Sequence, residues 1–224
     1  MKPIFSLLSV LLVLLTAARG EPPPVGFVRV VHVAAAGEGA LQVKLDGGEL
    51  RPQGYALGQF TGGLGLSAGE HAVELAKPGV APHREKLNLA AGETLTLVVY
   101  AEKLPPPREG EPPRWALRVR KLAAVAQSRG YRLTLLSVCP RDEVVVRTAI
   151  EAKRKVESTA LGRFVPAQLD LGGRRGGVEI RLGDNALASV SLDDPGNYVV
   201  LLYEDADGRV KALAFYDPKF EVAG

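Results

Sequence analysis

Ala56-Leu57-Gly58-Gln59-Phe60 returns as Ala160-Leu161-Gly162-Arg163-Phe164, 104 positions later, and the strand-like segments around the two copies follow in the same order. A shared pentapeptide alone says little. A period of about 100 residues, however, is the size of one small all-β domain, so the repeat predicts a chain built as two copies of one unit. Short apolar runs alternate with polar residues at period two and stop at Gly, Pro, Asp or Asn, while the i, i+3, i+4 spacing of a helix is almost absent. The expected fold is all-β: two tandem immunoglobulin-like antiparallel β-sandwich domains, at 21–126 and 127–224, behind a cleaved signal peptide at 1–20.

In the first copy Phe27 to Val33 opens, and Leu41-Gln42-Val43-Lys44-Leu45 alternates apolar with polar. Asp46-Gly47-Gly48 supplies a positive-φ turn that reverses the chain into Glu49-Leu50. Strands are expected at Gly58 to Leu66, His71 to Leu75 and Lys86 to Leu89. Thr94 to Tyr100 is nearly continuously β-branched or apolar, which predicts a central strand covered on both faces and the best protected of its domain. The second copy repeats the plan with Tyr131 to Val138, Glu143 to Ile150, the Ala160–Phe164 element with Leu169 and Leu171, and Val178-Glu179-Ile180 answering Val73-Glu74-Leu75. Asp193-Asp194-Pro195-Gly196 turns into Tyr198 to Tyr203 as Ala91-Gly92 turns into Thr94 to Tyr100. Tyr203 then turns at Asp205 to Gly208 into Val210 to Phe215, so the Pro-rich segment 104–113 reads as an enlarged hairpin loop inside the first domain, and the boundary falls near Ala123 to Arg129. Trp115, Leu117 and Val119 share one face of the returning strand; the tryptophan is expected in the core rather than as a sugar-stacking platform.

Lys2, the apolar stretch Leu7 to Leu15 broken only by Ser9, and Ala18-Arg19-Gly20 have the pattern of a secretory signal peptide. The apolar core is shorter than the roughly 20 helical residues that span a bilayer, and nothing later is long and apolar enough, so no transmembrane segment is expected in the mature chain. The expected location is periplasmic or secreted. The whole chain has 28 basic and 25 acidic residues; removal of Lys2 and Arg19 leaves 26 against 25, spread evenly with few aromatics between them, which excludes a nucleic-acid partner.

Cys139 is the only cysteine, so no internal disulfide forms, and its place between Val138 and Pro140 suits a buried, inert thiol. The histidines, His32, His71 and His83, lack the close spacing of a zinc site. Asp193-Asp194, Asp184-Asn185 and Asp205 to Gly208 sit beside turn residues, without the ligand rhythm of a calcium loop or the paired acids of a glycosidase. No catalytic, metal or cofactor-binding residue is assigned on these grounds. Gly172-Gly173-Arg174-Arg175-Gly176-Gly177 is the sharpest local oddity: a flexible hairpin tip by one reading, and by another two guanidinium forks, Arg174 and Arg175, placed to contact an anionic ligand.

Val28-Arg29-Val30-Val31-His32-Val33-Ala34, Leu45-Asp46-Gly47, Ser67-Ala68-Gly69-Glu70-His71-Ala72-Val73-Glu74-Leu75 and Leu89-Ala90-Ala91-Gly92-Glu93-Thr94-Leu95 form a pattern over residues 27–101. It resembles a family of exported bacterial β-sandwich domains of unknown function that open with a similar Val-Arg-Val-Val-His-Ala run. The second copy lacks the opening His and the Asp-Gly turn. The whole-chain plan, with Phe27-Val28-Arg29-Val30 at its start, is also similar to the periplasmic accessory proteins of alginate O-acetylation, which implies an exported adaptor beside acetyltransferases that modify a polysaccharide. The expectation is a non-catalytic exported binding or adaptor protein of the cell envelope, needing no cofactor, with envelope proteins or anionic polysaccharide as partners. The alternative is a periplasmic esterase or acetyl-transfer enzyme using a Ser or His in a groove between the domains, with His32 and His71 as candidates.

Overall fold

The computed structural model describes residues 24–106, 108–111, 114–125, 130–151, 155–173, 175–218 and 220. The segment 1–20, expected to be a signal peptide, and the expected domain boundary between 126 and 127 lie outside them. The chain is all-β, as the period-two patterning predicts. Its first half carries β1 (Val25–His32), β2 (Gln42–Leu45), β3 (Gly48–Glu49), β4 (Leu64–Ser67), β5 (Gly69–Lys77), β6 (Val80–Leu89), β7 (Thr94–Leu104) and β8 (Arg114–Ala123). Its second half carries β9 (Tyr131–Ser137), β10 (Glu143–Ile150), β11 (Lys155–Gly162), β12 (Ala167–Gly172), β13 (Gly176–Leu182), β14 (Asn185–Leu192), β15 (Gly196–Glu204) and β16 (Val210–Asp217).

In the first half the order is β3-β2-β5-β6 followed by β8-β7-β1-β4, joined by a single bridge between Ala81 and Ala116. The second half has the sheets β11-β10-β13-β14 and β16-β15-β9-β12, the same order without that bridge. The inner sheets are mixed rather than antiparallel throughout, as β1 runs parallel to β7 and β9 parallel to β15, while β11-β10-β13-β14 is antiparallel as expected. Each parallel pair joins the opening strand of a half to one that returns only after the outer sheet is complete, the kind of long crossover a parallel pair requires.

Local chemistry sets the joints. Asp46 and Gly47 take φ of 50° and 80° between the pairs Lys44–Glu49 and Leu45–Gly48, a two-residue hairpin turn of the type that Asp-Gly favours. β7 and β8 pair from Leu95–Ala123 to Leu104–Arg114, with the Pro-rich segment as their connection. The expected strand from Gly58 to Leu66 shrinks to β4; the positive φ of Gly58 and the Gly62-Gly63 pair leave irregular chain before it, bonded to β1 at Gly58, Gln59 and Thr61 around the Val31–Phe60 bridge. The two pentapeptides are not equivalent in space. Leu161 is wholly buried and Leu57 is exposed, and the amides that bond the last residues of β1 and β9 belong to Gly58 and Phe164, both at positive φ.

Three apolar clusters separate four layers of sheet. Val28, Val30, Leu75, Leu87, Leu97 and Leu117 fill the first half, and Leu133, Leu135, Val146, Ile180, Val200 and Leu202 fill the second. Between them, Val31, Val98, Leu136, Val199, Leu201 and Phe215 form a third cluster in which the two inner sheets face one another. Successive residues of a strand point to opposite faces. Leu97 and Val99 therefore serve the first core while Val98 and Tyr100 serve the middle layer, and the same alternation recurs in β15, with Val200 and Leu202 in the second core against Val199 and Leu201 in the middle layer.

A polar chain crosses the middle layer. Thr134 Oγ1 donates to Asn197 Oδ1, Asn197 Nδ2 to Asp217 Oδ2, and Arg29 Nη1 to Asp217 Oδ1 at 3.1 Å. All four side chains are buried. The Arg29 guanidinium also lies over Phe215 and Phe220, at 4.9 and 5.3 Å from the ring centroids, so aromatic faces replace part of the water it lost. Burial is the chief influence on both ions, lowering the pKa of Arg29 and raising that of Asp217, while their mutual attraction opposes each shift. Gly63 makes room for this packing: a Cβ there would meet the Phe220 ring at 2.5 Å.

Candidate binding cleft between the two halves

Beyond the ends of β1 and β9, and where β15 turns into β16, the two inner sheets part around a cleft of about 390 Å³. Tyr100 and Trp115 from the first half and Tyr203, Glu204 and Asp205 from the second line it, with small residues such as Ala36 between them. Tyr100 stands on the Phe164 ring, 5.0 Å between centroids. The wall formed by residues 34–37 is held from beneath by Lys77, a buried ammonium that donates to the carbonyls of Ala34 at 3.0 Å and Ala36 at 2.7 Å. Burial lowers its pKa.

The acids are supported from behind. Arg141 Nε donates to Glu204 Oε1. Asp205 Oδ1 accepts the amides of Asp207 and Arg209, while its other oxygen lies 3.6 Å from Arg209 and 3.8 Å from Lys211. The Arg209 amide is the largest of the influences holding Asp205 below the usual carboxylate range. Asp205 to Gly208 is thus a turn closed by its own side chain, as the sequence suggests. Burial, then the Asp205 charge, raises the Tyr203 hydroxyl. Burial, then Glu102, raises that of Tyr100.

Trp115 departs from expectation in part. It packs against the first core alongside Leu117, but it is only half-buried and also lines the cleft. Arg175 is exposed in the connection between β12 and β13 and is not among the residues lining the cleft; Arg174 lies outside the described residues. Sequence reasoning missed Tyr100, Tyr203 and Glu204. Their signal was present, since the apolar runs of β7 and β15 both end in Tyr, but a tyrosine closing a strand also serves as ordinary core.

The histidines are placed elsewhere. His71 Nδ1 lies 2.7 Å from Asp46 Oδ2 and its Nε2 2.7 Å from the Ser67 carbonyl, so both nitrogens meet acceptors and the ring is bonded as an imidazolium. Its pKa is raised, chiefly by the bond to Asp46. His32 is buried in the first half, its Nδ1 accepting from the Ala34 amide, and burial with the Lys77 charge lowers its pKa to about 4. Cys139 is fully buried and burial raises its thiol pKa. Among the described residues the cleft lining holds neither Ser nor His, and no three His, Cys, Asp or Glu side chains gather as a metal site. No helix among them is long and apolar enough to cross a membrane. No known protein family and no curated protein matches the chain.

Proposed function

We propose that this chain is an exported, non-catalytic binding or adaptor protein of the cell envelope, two tandem immunoglobulin-like sandwiches that follow a cleaved signal peptide and hold a ligand or partner between them. Polysaccharide O-acetylation is the setting that the resemblance suggests. The observation that carries the binding reading is the cleft itself: both halves contribute its walls, and a buried ion pair, Arg29 with Asp217, joins the halves elsewhere. Concave sites of this kind, with aromatic surface and a few fixed polar groups, are where small ligands bind. The enzyme alternative places a Ser or His in the groove, and the described lining offers neither.

Affinity capture from an envelope extract, with wild type and Ala206→Trp compared, tests the proposal. Ala206 is exposed at the cleft, so the substitution fills the site without disturbing a core. Wild type is expected to retain a polysaccharide or envelope protein that the filled variant loses. Equal retention, no retention, or turnover of acetylated sugars by the purified protein counts against the reading.

A further inference from the structure

We infer that the cleft takes an uncharged sugar, a ligand of about one or two pyranose rings. This rests on the binding reading above and names the ligand class. The volume of about 390 Å³ sits at the small end of ligand sites. The lining sets three demands. The hydroxyls of Tyr100 and Tyr203 and the indole N–H of Trp115 have no hydrogen-bond partner among the described residues, which leaves them open to acceptors on a ligand. Glu204 Oε2 faces the opposite need: Arg141 engages Oε1, and the second oxygen is left for a donor on the ligand. Ring faces and the methyl groups of Ala36 and Ala101 require an apolar C–H surface. A sugar offers all three on one molecule.

Charge excludes the neighbouring classes. The described lining holds no Lys or Arg, so a uronate or phosphate entering the cleft would shed water without a cationic side chain in the lining to replace it. A quaternary or primary ammonium would suit the aromatic faces, but it brings no acceptor for the three polar tips, and the carboxylates are already balanced by Arg141, Arg209 and Lys211. Arg175, exposed and outside the cleft lining, belongs to a different surface.

Trp115 is the only tryptophan in the chain, so its emission reports this cleft alone. The experiment titrates the full-length protein with neutral oligomers of glucose and N-acetylglucosamine, with oligouronates, and with choline. Saturable change with at least one neutral oligomer is expected, roughly 10-fold weaker in Tyr203→Phe and in Glu204→Gln. Oligouronates and choline are expected to give none. A flat response across the neutral set, or saturation by oligouronate or choline alone, overturns the assignment. Capture from envelope extract that still depends on Ala206 would then leave the binding reading standing while the sugar assignment falls; loss of both results removes both.

Discussion

At the scale of single residues, the ionised groups inside this protein are assigned by what touches them rather than by residue type. His71 and His32 lie in the same half, yet one is bonded at both nitrogens to oxygens and the other is walled in beside an ammonium. The His71–Asp46 pair has a defined pH window. The ring's pKa is raised, so its contribution is complete below the unfolded value of about 6.5 and disappears as pH rises through the folded one. The Asp46 pKa is lowered, first by His71 and then by the Ala72 amide, so its contribution is complete above about pH 4 and disappears as pH falls through the folded value. The stability lost in His71→Gln, measured by urea unfolding, is therefore expected to be greatest between about pH 4 and 6.5 and to shrink above that range. A difference that does not vary with pH would show that the ring is not held as a cation.

At the scale of the strand, β7, β9 and β15 are covered on both faces, and the second cover is the opposite inner sheet. This makes a quantitative expectation. Leu201→Ala in the middle layer should cost about as much as Leu202→Ala in the second core, about 2–5 kcal/mol each by denaturant midpoint. A cost for Leu201→Ala below 1 kcal/mol, roughly that of a surface site, would mean that the inner sheets are not packed in solution. Much of this was legible. The unbroken run Thr94 to Tyr100 cannot face water on either side, and the sequence reveals that need. What covers it was not legible, because residues that look like surface, Arg29, Thr134, Asn197 and Asp217, are hidden in the same layer in hydrogen bonds to one another, with only the Arg29 Nε left over among their buried polar atoms. The repeated pentapeptide pointed to a real likeness of strand order, although its own two copies lie in different surroundings: loop length differs between the halves and shifts them out of register.

At the scale of the molecule, the middle cluster packs the two halves of the chain against one another. Exposing it by separating the halves would uncover Leu136, Val199, Leu201 and Phe215 together with the unpaired ions Arg29 and Asp217. Removing one partner from such a pair costs about 3–5 kcal/mol, well above the ordinary surface ion pair. Unfolding in urea followed by Trp115 emission, which reports the first half, and by far-ultraviolet circular dichroism, which reports both, should therefore give coincident transitions. Two separated midpoints would show that each half folds by itself. The cleft was the least legible feature, since it belongs to neither half and its lining is drawn from strand ends 100 or so residues apart in sequence, where no local spacing marks them.

Arg29 and Asp217 stand 188 positions apart. A polypeptide released before its final strand would carry a stranded guanidinium beneath an uncovered greasy sheet, a form open to proteases rather than a smaller working version of the protein.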